Sequence, residues 1–112
     1  MIFFYTPSEI ISKNVSPDKK VIKIGGYVAD GSLKKLAGST ISFVITDFER
    51  EMKVTYTGMV PALFKEGQGT IATGTLVSDM EFEATQILAK HDENYIPAEI
   101  VNTLKDKGQW KD

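Results

Sequence analysis

Met59-Val60-Pro61-Ala62-Leu63-Phe64-Lys65-Glu66-Gly67 is the stretch whose reading decides the fold. Pro61 suits the first position of one or two helical turns, and Gly67 can end them in the left-handed conformation. On both sides of it the apolar residues alternate instead of recurring at helical spacing. Before it, Ile22, Ile24, Gly26 and Val28 share one face of a strand, with Val21 and Lys23 on the other. Ile41, Phe43 and Ile45 repeat the pattern against Ser42 and Thr46. Met52, Val54 and Tyr56 do so against Glu51, Lys53 and Thr55. After it, residues 71–77 and 80–89 form two more strands, joined by a tight turn at Ser78-Asp79.

Several short strands with a brief helical element between the third and fourth predict an all-β chain, folded as a small OB-fold-like barrel. Glycines at 25, 26, 58, 67, 69 and 74 sit in or beside the strands, where small barrels need bulges and corners. Upstream, Thr6-Pro7-Ser8-Glu9 reads as a short helix start with a capping box, broken at Asn14 and Ser16-Pro17-Asp18. Downstream, residues 97–107 carry Ile100, Val101 and Leu104 on one side of a short helix, and residues 105–112 read as a polar, flexible tail.

The chain is 112 residues long, enough for one domain with its own core. Its net charge of −2 and scattered charges argue against a general nucleic-acid binder, which presents a basic face. It has no cysteine and one histidine, His91. Thiol nucleophiles, disulfides and the usual protein-only zinc sites are therefore excluded. No nucleophile elbow of an esterase type is present, and no pair of acids is marked for glycosidic chemistry, so the chain does not read as an enzyme. On chemistry alone, a lone histidine beside a polar end is most often an ordinary surface residue.

Longer strings of residues change that reading. Phe4-Tyr5-Thr6-Pro7-Ser8-Glu9-Ile10, Gly25-Gly26, Val54-Thr55-Tyr56-Thr57-Gly58, residues 61–69 (PALFKEGQG) and Leu88-Ala89-Lys90-His91-Asp92-Glu93-Asn94-Tyr95 follow one another in a known order. In this the chain resembles the CcmE family, the periplasmic haem chaperones of cytochrome c maturation. The resemblance implies an OB-type barrel, with haem b as a transient covalent cargo. It implies that His91, the histidine of HDENY, bonds a haem vinyl group and that Tyr95 is the axial iron ligand. Its implied partners are haem, the haem-delivery and haem-lyase membrane proteins of the maturation system, and apocytochrome c, without nucleic acid. Its implied place is the periplasmic side of the bacterial inner membrane, held by an N-terminal transmembrane anchor that this chain lacks.

The organisation expected is an N-terminal segment over residues 1–20, a barrel over 21–90, and a haem-binding motif with its tail over 91–112. Lys90, beside His91, is a candidate to pair with a haem propionate, with a plain solvated lysine an equal reading, and Arg50 is a weaker choice. Phe43, Tyr56, Phe64 and Phe82 are candidates for an apolar platform, although core packing is the commoner role for such residues. The rival reading is an OB module for single-stranded nucleic acid, using Lys34, Lys35 and the same aromatics for stacking.

Overall fold

The structure, a computed structural model, describes residues 2–89. A two-residue strand β1 (Phe4–Tyr5) leads into helix α1 (Pro7–Ser12). The barrel strands are β2 (Ile22–Val28), β4 (Thr40–Thr46), β5 (Glu51–Thr57), β6 (Gly69–Leu76) and β7 (Glu81–Ala89). They run in the order β2-β6-β7-β5-β4, and pairing of β2 with β4 closes the ring. Five short strands closed in this way, mostly antiparallel with one parallel pair at β5–β7, make the expected OB-type barrel. Two small strands were not foreseen. β1 lies parallel to β2, and β3 (Lys34–Lys35) borders β4.

Period-two alternation places the core. Ile24, Phe43, Ile45, Met52, Val54 and Phe82 are among the side chains that fill the barrel. α1 closes one end. The Glu9 carboxylate accepts the Thr6 N–H at 2.9 Å, completing the predicted box. Ile10 is thereby turned into the core, and Asn14, at φ 52, ends the run. Ser42 and Thr46 are also buried, although alternation puts them on the outer side. Lys34 pairs opposite Ser42 in β3, and the Thr46 hydroxyl accepts the Phe48 N–H. Each is covered by its own neighbour.

The stretch 59–67 keeps a single turn, the shorter of the two expectations, and forms no helix. Phe64 N–H reaches Pro61 O at 3.0 Å, one turn with no helix following it. Its remaining polar groups bond elsewhere. Gly67 N–H donates to Val28 O at 2.8 Å, and the Glu66 carboxylate accepts Leu33 N–H at 2.9 Å. Pinning to the end of β2 and to the loop that follows it replaces the intrahelical bonds a helix would need. Gly67 is left-handed, φ +78, as its position predicts. Phe64 turns inward and meets Phe43 edge-on, ring centroids 4.9 Å apart.

Two glycines set the barrel's geometry. A Cβ on Gly26 would stand 2.7 Å from Thr46 O, at the β2–β4 closure. A Cβ on Gly74 would stand 2.0 Å from Glu83 O, where β6 meets a bulge in β7. Across that bulge Gly74 pairs with Ala84 but Thr73 with Gln86. Ala84 and Ile87, three positions apart, therefore both enter the core. The bulge resets the alternation, so that Ala89 points in and Leu88 points out.

Candidate functional site

Lys90, His91 and Tyr95, the residues singled out from the sequence, lie outside the described residues, as do the tail reading over 91–112 and the helix over 97–107. The described structure fixes the point from which that segment departs. β7 is paired with β6 up to its last residue, Ala89 opposite Thr70 and Leu88 opposite Ile71. The buried Thr70 hydroxyl donates to Leu88 O at 2.7 Å. Ala89 is itself part of the core. The chain thus leaves the barrel from an anchored strand.

The four aromatics considered as a platform belong to the interior. Phe43, Tyr56, Phe64 and Phe82 are all buried in the core cluster, and the Tyr56 hydroxyl donates to Met59 O at 2.8 Å. They hold the barrel together and do not present faces to a porphyrin or to bases. Lys34 and Lys35 are exposed on β3 without those aromatics beside them as an open stacking surface. Arg50 lies in the turn between β4 and β5 and borders a cleft of about 430 Å³ with Ile11, Phe48 and Met80. Among the described residues no cluster of three or more acidic or imidazole side chains could hold a metal ion. No described helix is long and apolar enough to cross a membrane.

A second apolar row, outside the core cluster and with Ile71 buried, lies beside the end of β7. Gly25, Ile71 and Leu88 are cross-strand partners on β2, β6 and β7, on the side opposite the core. Tyr27 follows on the same side of β2, since Ile24 and Val28 face inward. The ring of Phe48 packs edge-on against Tyr27, centroids 5.4 Å apart at 69°. Phe48 is 56% exposed and has φ +70. Sequence reasoning missed this pair. Its signal was an aromatic at the outward parity of β2 and another in the polar turn Asp47-Phe48-Glu49-Arg50.

Asp47 holds that turn. Its Oδ1 accepts the N–H groups of Glu49 and Arg50, at 3.0 and 2.9 Å. Its Oδ2 accepts the Ser8 N–H at 2.9 Å and the Ser8 hydroxyl. Burial pushes its pKa upward, but the Ser8 hydroxyl and the amides of Arg50, Ser8 and Glu49 outweigh it, and the net shift is downward. A carboxylate with a lowered pKa stabilises the fold above the ordinary aspartate value of about 3.9, and this contribution is lost as pH falls through the folded-state value. We expect Asp47→Asn to lower the melting temperature at pH 7 and to flatten its decline in acid. A melting series from pH 7 to pH 3 with parallel curves for the two proteins would refute that role. Glu66 is also held below the ordinary value, first by Leu33 N–H and then by Gly31 N–H. It is a loop pin of the same kind.

With this geometry in view, the chain compares as follows. Residues 1–98 match the CcmE domain family. A cytochrome c-type biogenesis protein CcmE of Beijerinckia indica is 44% identical over the whole chain, which covers 69% of that protein. The CcmE of Paramagnetospirillum magneticum is 42% identical over the whole chain, covering 74%. That of Agrobacterium fabrum is 46% identical over 97% of the chain, covering 66%. Among solved structures, the OB-fold domain of the heme chaperone CcmE from Desulfovibrio vulgaris is 29% identical. It superposes with a TM-score of 0.56, over 68% of this chain and 94% of that one. The telomere capping protein Ten1 of Saccharomyces pombe reaches a TM-score of 0.62 at 11% identity, covering 98% of this chain and all of Ten1. That likeness speaks to the OB fold alone. The extent of the family match and the identity to these relatives together show that this chain belongs to the CcmE family of cytochrome c biogenesis proteins.

Proposed function

We propose that this protein carries haem b on the periplasmic side of the bacterial inner membrane, bonded covalently through His91 and ligated at iron by Tyr95, and passes it to apocytochrome c. It acts as a carrier and not as an enzyme. The observation that carries this reading is the position of the HDENY string in an OB barrel of this family. The string starts two residues beyond Ala89, a strand end locked to Thr70. The heme chaperone named among the structural relatives supports the same reading. The partners proposed are the haem-delivery and haem-lyase membrane proteins of the maturation system. A membrane anchor preceding this chain would keep donor, carrier and acceptor within reach of one another.

The residue types suit the task. A neutral imidazole is a nucleophile near neutral pH. A phenolate oxygen is a hard ligand, used for haem in catalase. It favours ferric over ferrous iron, so Tyr95 would hold the ferric form of the cargo more tightly than the ferrous form. Lys90, next to His91 in the sequence, is the residue proposed to pair with a propionate, a contact that contributes little if it is exposed.

The test is co-expression of the full chain with the maturation machinery, then mass spectrometry of the loaded protein. The adduct is expected on the peptide containing His91, and an adduct elsewhere overturns the proposal. Tyr95→Phe is expected to keep the covalent haem but to change the visible spectrum of the ferric form. A ferric spectrum identical to that of the parent protein would remove Tyr95 as the iron ligand.

A further inference from the structure

Three apolar side chains from distant parts of the chain line one open cleft. Ile11 comes from α1, Phe48 from the turn between β4 and β5, and Met80 from the turn before β7. They are 38%, 56% and 63% exposed, and the cleft holds about 430 Å³. That volume lies within the range of ligand sites. Exposed apolar groups scattered singly need no explanation, but a gathered set marks an interaction site.

Phe48 shows that the arrangement is kept against a cost. Its φ of +70 suits glycine or asparagine and is unfavourable for a bulky side chain. The turn imposes it nonetheless. Thr46 Oγ1 accepts the Phe48 N–H at 2.9 Å, and Asp47 Oδ1 accepts the next two amides. An outlier maintained by its surroundings points to a use.

The charges say what fits. Glu49, Glu51 and Asp79 line the same cleft and are exposed, and Arg50 is the one cation among the lining residues. Among the described residues no ion pair engages any of these four. The carboxylates outnumber the guanidinium, so the field over the cleft is negative. Charge complementarity then selects a ligand that carries cations around an apolar centre. A second copy of this chain, at net −2, is opposed by that field, and so is an anionic lipid surface. A peptide segment with lysine or arginine flanking leucine or an aromatic residue matches both the apolar wall and the acidic rim.

We infer that this cleft docks a basic segment with apolar anchors from a partner protein. The docking goes beyond the carrier reading and does not depend on it. It does have a consequence under that reading. Met80 immediately precedes β7, whose nine residues span about 30 Å before the strand ends at Ala89. A partner seated on the Met80 side leaves the far end of the strand clear.

The test titrates the full chain with a labelled synthetic peptide in which arginine alternates with leucine, and with its counterpart carrying glutamate for every arginine. The arginine peptide is expected to bind and the glutamate peptide is not. Amide shifts on binding are expected to gather at Ile11, Phe48 and Met80. Glu49→Gln combined with Asp79→Asn is expected to weaken binding about fivefold, the scale of two exposed ion pairs. Met80→Ser is expected to weaken it by about as much through lost apolar contact. Asp30→Asn, which removes an exposed carboxylate outside the cleft, is the control and should leave the affinity unchanged. Every substituted side chain is exposed, so the melting temperatures should stay together. Unchanged affinity in both cleft variants, shifts centred elsewhere, or an equal loss in Asp30→Asn would overturn the docking site. A dimer in sedimentation that Met80→Ser dissolves, or binding to phosphatidylcholine vesicles that Met80→Ser abolishes, would give the face another occupant and overturn it too. None of these measurements uses haem, so failure here leaves the carrier proposal standing.

Discussion

Haem staining on a denaturing gel is expected to vanish in His91→Ala while the barrel remains folded. The argument is one of effective concentration. A covalent tether at residue 91 confines the porphyrin next to Tyr95, four residues on. Confinement over so short a linker corresponds to millimolar local ligand, on the order of what flexible tethers achieve. Without the tether, a single phenolate and an apolar surface must hold haem against dilution and denaturant, and neither survives the gel. The substitution is expected to leave the stability of the barrel unchanged to within about 0.5 kcal/mol, the usual range for a change away from a core. Melting temperature and haem signal are therefore expected to separate, the first unchanged and the second absent. Staining of His91→Ala at the parent level would remove the proposed linkage and with it the covalent part of the function.

How far the sequence could take this depended on which physics was local. The strands were legible because alternation is local: Ile22, Ile24 and Val28, or Met52 and Val54, announce a buried face within a few residues. The α1 cap was legible for the same reason, since Thr6 and Glu9 act across one turn. Residues 59–67 were legible as a turn ending at Gly67 but not in what pins them, because their decisive bonds are distant. Glu66 bonds to Leu33, and Gly67 to Val28. Asp47 gave no local signal, because its tie to Ser8 spans 39 positions. Tyr27 and Phe48 meet only because β2 and β4 close the barrel. His91 and Tyr95 stood out for another reason. Nothing in their spacing demanded haem, and the family resemblance of the surrounding string carried them.

Gly74→Ala is expected to be the most damaging single-methyl change in the barrel. The backbone of Gly74 is ordinary strand, so the cost comes from space and not from φ. The added Cβ would stand 2.0 Å from Glu83 O and 2.8 Å from Ala84 Cα, against a limit near 3.0 Å for real contacts. Both obstacles are backbone, which cannot rotate away as a side chain can. Overpacking typically costs 1–3 kcal/mol even where side chains give way. Here β7 must part from β6 at its bulge, and at least about 3 kcal/mol is expected, a drop of roughly 12–24 °C for a domain of this size. Gly38→Ala is the control. Gly38 has φ +65 and nothing within 4 Å, so it reports the backbone term alone, about 1 kcal/mol. The difference between the two variants isolates the β6–β7 approach. The same bulge decides that Leu88 faces out and Ala89 in at the end of β7, and under the proposed carrier function it should therefore matter for loading. Gly74→Ala molecules that still fold should load less haem per folded chain at a temperature well below their melting point. A melting temperature no lower than that of Gly38→Ala would show that β7 yields freely at Glu83, and the bulge could then not be what fixes the exit of the chain.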